Sequence, residues 1–188
     1  MHRGTYEPAF TCLTGHLLLA HPGLRDPNFR RCIILLSAHD QEGGALGVVT
    51  NRPLGRTLGA AQDSLADSPV GALPLFAGGP VSTSEVLLAA WRWEDQGRRF
   101  HMAFGVTIEA MGRLIEEHDD FDARVFLGYA GWSAGQLEAE LREGAWIAAP
   151  INQDWLGGDN ATCWRRAIRT VRPDLALQAE IPDDPAMN

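Results

Sequence analysis

Three short apolar runs, Leu17–Ala20, Cys32–Ser37 and Ala45–Thr50, constrain this chain more than any other feature. Each is dominated by Leu, Ile, Val or Ala and is bounded by Gly, Pro, Asp or Asn. Runs of that length and composition read as buried strands. Leu73–Ala77, Phe100–Val106 and Arg124–Tyr129 are further strand candidates. Glu85–Trp91 stays open: its composition suits a strand, yet Ser82 followed by Glu85 has the spacing of a helix capping box.

Helical periodicity belongs to the later part of the chain. Ile108, Met111, Leu114 and Ile115 fall on one face of a helix over 108–118, with Thr107 placed to cap it. A second helix is expected over 133–142, where Ser133 and Gln136 have capping-box spacing and Ala134, Leu137 and Leu141 form the apolar face. In 160–171, Trp164, Ala167, Ile168 and Val171 recur at helical intervals, with Asp159 or Asn160 as the cap. Strands and helices mix without regular alternation, which favours an α+β fold.

A chain of 188 residues, 45% hydrophobic and 21% charged, suits one globular domain. Residues 13–172 carry the patterning, with an N-terminal tail over 1–12 and an acidic, proline-punctuated tail over 173–188. The net charge of −8 argues against a broad nucleic-acid surface, although all sixteen cationic residues are arginine. Cys12, Cys32 and Cys163 are widely spaced and form no C-x-x-C pair, which suggests reduced thiols in a cytoplasmic setting. Cys32 reads as a small buried hydrophobe. No signal peptide is evident. No run approaches the roughly 18–20 apolar residues of a membrane span.

Four segments resemble the AlgH/YqgE family of bacterial proteins: GHLLLAHPGLRDPNFRRCIILLSAHDQEGGALGVVTNRP (15–53), FAGGPV (76–81), RVFLGYAGWSAGQLEAEL (124–141) and the Trp155–Trp164 region. They occur in order across nearly the whole chain. The resemblance implies an α+β fold with a bent or barrel-like mixed sheet surrounded by helices. It carries the name transcriptional regulator and no defined molecular activity. The chain departs from the family at Ala38, where an acidic residue tends to precede the His, and at Ser37, where Cys is frequent. No scheme needing a carboxylate or thiol just before His39 is therefore expected to apply.

The segment HDQEGGALGVVTNRP concentrates the candidate chemistry. His39 and Asp40 could act as an acid–base pair; they could equally open a turn in which Asp40 binds amides and Gly43-Gly44 supplies the permitted backbone. At the other end, Pro53 holds Arg52 extended, so its guanidinium could receive a carboxylate or phosphate. The plainer alternative is an Arg52 bridge to Asp26, with Asn51 bonding turn backbone. Gly78-Gly79-Pro80 could admit a ligand close to the backbone or simply make a tight turn; it lacks the spacing and Lys of a phosphate loop. Tyr129 and Trp132 could line a pocket or pack a strand on a helix. His16 and His21 provide no metal-ligand spacing, so neither metal nor cofactor is expected.

These residues suggest a non-enzymatic cytoplasmic binding or regulatory protein. Its surface is expected from His39, Asp40, Asn51, Arg52, Gly78, Gly79, Tyr129 and Trp132, and its partner is a protein or a small anionic ligand. One alternative is an enzyme in which His39, Asp40 and Arg52 share a pocket. The other is direct DNA binding through Arg165, Arg166, Arg169 and Arg172, against which a solvated helix face is preferred.

Overall fold

The computed structural model describes residues 10–94, 99–156 and 160–182. Nine strands lie among them: β1 (Leu17–Ala20), β2 (Ile33–Asp40), β3 (Gly44–Val49), β4 (Pro53–Thr57), β5 (Pro74–Ala77), β6 (Val81–Glu94), β7 (Arg99–Phe104), β8 (Asp122–Trp132) and β9 (Trp146–Ala149). The helices are α1 (Leu58–Ala61), α2 (Ile108–Glu117), α3 (Gln136–Arg142), α4 (Gln153–Leu156), α5 (Asn160–Val171) and α6 (Ala176–Glu180).

The longest path through the sheet runs β4-β5-β8-β3-β2-β1-β9, and β6 pairs with both β8 and β7. Strand β8 is the hub. Its first half lies parallel to β5 and antiparallel to β6, while Ala130–Trp132 pair with Ala45–Gly47 of β3. One strand with three partners bends the sheet on itself, giving an α+β curled half-barrel flanked by helices.

Residues that alternate along β1 and β2 serve two different cores. Leu17, Leu19, Ile33 and Leu35 meet Trp155, Trp164 and Ile168 of α4 and α5. Leu18, Ile34 and Leu36 face the opposite side with Leu137 of α3, Trp132 and Trp146. A third cluster, including Leu58, Leu88, Met111 and Val125, closes the far end beneath α1 and α2. Fully burying each such Leu or Ile contributes about 1.5–3 kcal/mol, so these continuous apolar strands dictate the layering. Arg124 pins the layers together. Its guanidinium lies 4.9 Å from the Phe76 ring centre and 4.8 Å from that of Trp91, chelates Asp122, and donates to the carbonyls of Thr50 and Leu156.

Glu85–Trp91 is a strand, because Val86–Trp91 pair with β8 and Ala89–Trp91 also with β7. The 173–182 stretch is no loose tail. It forms a short 3-10 turn and α6, which buries Ala179 in the core and places Glu180 against Arg169. Of the expected N-terminal tail, residues 1–9 lie outside the described residues, as do 183–188 and the cap candidate Asp159. No helix among the described residues is long and apolar enough to cross a membrane.

Candidate functional site

A β-bulge decides where His39 points. Leu36 of β2 pairs with Gly47 and Ala38 with Leu46, so two residues on β2 advance against one on β3. The extra residue reverses the alternation of side chains. His39 therefore lies on the side of Leu13, Leu141 and Ala148, whereas Ala38 and Asp40 line a different cleft. Ser37 sits at the irregularity, its hydroxyl donating to the Leu46 carbonyl at 3.1 Å.

His39 is only 4% exposed, and both ring nitrogens have partners. The Leu13 N–H donates to Nδ1 at 3.0 Å, which puts the ring proton on Nε2. Nε2 then donates to Glu138 Oε1 at 3.0 Å. The Phe10 ring lies 4.8 Å away, centre to centre, and the Cys12 thiol donates to the His39 carbonyl at 3.1 Å. One imidazole thus joins the 10–13 segment, β2 and α3. It forms one wall of a cleft of about 700 Å³ whose lining includes Phe10, Leu13, Leu141, Gln41, Glu138 and Arg142. Glu138 remains one-third exposed there.

Helix α3 is set by another carboxylate. Glu140 Oε2 accepts from the indole N–H of Trp132 at 2.9 Å and of Trp146 at 2.7 Å, and its Oε1 accepts from the Gln136 amide at 2.9 Å. The two indoles meet edge to face with ring centres 5.8 Å apart. Gln136 accepts from the Ser133 N–H at 3.1 Å, but α3 starts three residues later than expected, at Gln136 with Gly135 as its N-cap, so Ser133 does not cap it. Trp132 serves this packing and also lines a cleft of about 410 Å³ with Tyr129 and Asp40.

Asp40 holds its turn. Its Oδ1 accepts from the amides of Glu42 and Gly43, and Gly44 follows at φ +83°, where a Cβ would strike the Trp132 carbonyl. Asn51 is buried and fastens the loop before β2, donating to Arg31 O at 3.0 Å and accepting from Ile33 N at 2.9 Å. Arg52 donates to the carbonyls of Asn28, Pro27 and Arg30 and makes no bridge to Asp26. Gly78 and Gly79 let backbones cross at the hub: added Cβ atoms would lie 2.2 Å from Gly128 O and 2.1 Å from the Tyr129 carbonyl carbon. That space is filled by protein, and Gly78 bonds β3 and β8 through its own backbone groups.

The eight candidate residues therefore separate. Asp40, Tyr129 and Trp132 share one cleft, Asn51 and Arg52 another of about 420 Å³, and His39 a third. His39, Asp40 and Arg52 do not converge, so the common catalytic pocket required by the enzyme alternative is not formed. Among the described residues, no group of three His, Cys, Asp or Glu side chains could hold a metal ion. Glu138, Leu13 and Phe10 escaped the sequence reading. Glu138 is 99 residues from His39 and sits unremarkably on a helix, so no local signal marks it.

The thiols differ sharply. Burial pushes Cys32 up to about 12 and raises Cys163, whereas hydrogen bonds with Thr14 lower the exposed Cys12.

The AlgH-like family model matches residues 17–176. The chain belongs to the AlgH-like family. A UPF0301 protein of Streptomyces coelicolor is 42% identical over 190 residues, covering 94% of this chain and 95% of that relative. A UPF0301 protein of Thermobifida fusca is 34% identical over 94% of this chain and 96% of its own length. The solution structure of the AlgH protein from Pseudomonas aeruginosa matches this AlgH-like chain with a TM-score of 0.63 and 26% identity, covering 96% of this chain and all of that one. A Corynebacterium diphtheriae protein shares the fold at a TM-score of 0.66 and 23% identity, over 96% of this chain and 95% of its own.

Proposed function

We propose that this chain is a non-enzymatic binding and regulatory protein of the cytoplasm, with the His39–Glu138 cleft as its site. The carrying observation is the double commitment of His39: Nδ1 accepts the Leu13 amide and Nε2 donates to Glu138. A ring held in this way shapes a wall and leaves no nitrogen to take a proton from a substrate. The cleft volume of about 700 Å³ is in the range of small-molecule sites, and its apolar lining with a few polar groups suits binding. The ligand is a small molecule, or a side chain of a partner protein, with an apolar body and a donor for Glu138. The three cysteines are free thiols, in keeping with the cytoplasm.

Any effect on transcription then runs through that ligand or partner. Arg165 and Arg169 share Glu180, and Arg172 pairs with Asp174, so two of the protein's own carboxylates sit against three of the four α5-region arginines. This favours the partner route over direct DNA contact. The test is an amide and side-chain NMR titration with fractionated small metabolites and, separately, with cell-extract proteins. Saturable shifts at Leu13, His39 and Glu138 support the reading. Catalytic turnover of a compound by the wild-type chain that is lost in His39→Gln would overturn it.

A further inference from the structure

Proton uptake by His39 is incompatible with the way residues 10–13 are fastened. Nδ1 accepts the Leu13 N–H at 3.0 Å, so this nitrogen carries no proton while the segment is in place. An imidazolium donates from both nitrogens. Two donors facing each other at that distance share no bond, and one of them must move.

The ring is the better held of the two. Its side chain is 1% exposed, it stands on β2 opposite Ala45 of β3, and Nε2 meets Glu138 Oε1 at 3.0 Å. A positive ring turns that contact into a bond between two charges, about twice as strong as a neutral one. The 10–13 segment has weaker ties. Beside the Leu13 amide, it is joined to β2 by the Cys12 thiol on the His39 carbonyl, a weak donor that also lies 3.3 Å from Thr14 Oγ1. The turn that follows is held independently, by the His16 N–H on Leu13 O at 2.9 Å and the Gly15 N–H on Leu36 O at 2.8 Å. The Cys12–Leu13 peptide can therefore swing away ahead of that turn.

Few charges face the ring among the described residues. Helix α3 contributes Glu138 and Arg142, and the 10–13 segment contributes the Cys12 thiol. The Asp40 carboxylate, next along β2, is turned to its own loop amides. Strands β3 and β9 present Ala45 and Ala148, which do not titrate. Glu138 is thus the group placed to receive the charge of a protonated ring.

We propose that residues 10–13 form an acid-released strap on this cleft. A proton on Nδ1 expels the Leu13 amide, the strap swings off β2, and the cleft opens on the side of Phe10 and Thr11. That the release gates binding rests on the cleft being the ligand site; the release itself does not.

The test follows the full chain without ligand, from neutral pH downward while it stays folded. Imidazole ¹⁵N shifts report protonation of His39. Leu13 amide exchange, corrected for its intrinsic pH dependence, reports the strap. Leu13 should lose about tenfold in protection, the equivalent of one ordinary hydrogen bond, in step with ring protonation. The Overhauser contact between the Phe10 and His39 rings, 4.8 Å apart centre to centre, should fade with it. Two variants separate the strap from general acid loosening. His39→Asn puts an amide oxygen near the place of Nδ1, so Leu13 should stay protected in acid. Glu138→Gln keeps an acceptor for Nε2 and removes the negative charge, so protonation and release should move together to lower pH. Three results would overturn the proposal: Leu13 protection unchanged beside a protonated His39, a ring that takes no proton before the chain unfolds, or acid release that persists in His39→Asn. Each is read without ligand, so the metabolite titration stands or fails separately.

Discussion

Replacing Glu140 with Leu tests how α3 is held against the sheet. The carboxylate accepts from two indole N–H groups, on Trp132 and Trp146, whose residues are 6% and 4% exposed. Leucine is of similar size and accepts nothing, so both donors lose their partner. An unsatisfied buried donor costs about 1–3 kcal/mol. Two of them set an upper limit near 6 kcal/mol, but Glu140 is only half-buried and water can reach part of the gap. The expected loss is therefore about 2–3 kcal/mol, which for a domain of this size lowers Tm by about 5–10 °C. Glu140→Gln retains an oxygen for both indoles and should lose under about 1 kcal/mol. Urea unfolding followed by circular dichroism gives the energies, and the indole N–H resonances of Trp132 and Trp146 report the bonds. If Glu140→Leu stays within about 0.5 kcal/mol of the wild type, the bridging carboxylate does not hold α3 as described. The same variant should loosen Glu138, two residues away on that helix.

Gly79→Ala should fail to fold or lose more than about 3 kcal/mol, because the new Cβ would fall 2.1 Å from the Tyr129 carbonyl carbon, and backbone cannot yield as a side-chain end can; circular dichroism and soluble yield check this. Alkylation at neutral pH should modify Cys12 first: a lowered pKa leaves more of its thiol as the reactive thiolate, and the residue is exposed. Cys32, fully buried and raised to about 12, should stay unmodified until the protein unfolds, as peptide mass mapping over time would show. Thr107→Ala should cost about 1 kcal/mol by removing the hydroxyl that accepts the Ala110 N–H at 3.2 Å, measured by the same urea unfolding.

Local signals carried most of the fold. The runs at 17–20, 32–37 and 45–50 correspond to β1, β2 and β3, because strands buried on both faces must be continuously apolar. Thr107 caps α2 as its position suggested. Glu85–Trp91 stayed ambiguous because a capping-box spacing is local, while the pairing that makes it a strand involves residues near 102–104 and 122–127. Strand β4 was missed because Pro53–Thr57 is mostly exposed and has no alternation. Helix α6 was missed because five residues between prolines have no period to read; Ala179 and Glu180 hold it through tertiary contacts.

The site was less legible for the same reason. The roles of Asp40 and Asn51 as turn fasteners followed from residue type, but Arg52 binds carbonyls where a carboxylate was the expected partner. The separation of His39 from Asp40 follows from strand alternation, but the face that each takes depends on a bulge at Ser37, which no residue preference announces. The pairing of His39 with Leu13 and Glu138 joins positions 26 and 99 residues away in the chain.

The central feature of the site is His39 as a fixed wall of its cleft. Its most direct test is a long-range ¹H–¹⁵N NMR spectrum of the imidazole at neutral pH, with Leu13 amide exchange measured on the same sample. The expected result is a single tautomer protonated at Nε2, an unprotonated hydrogen-bonded Nδ1, and a Leu13 amide protected from exchange. A ring averaging between tautomers beside an unprotected Leu13 amide would contradict it and return His39 to the list of acid–base candidates.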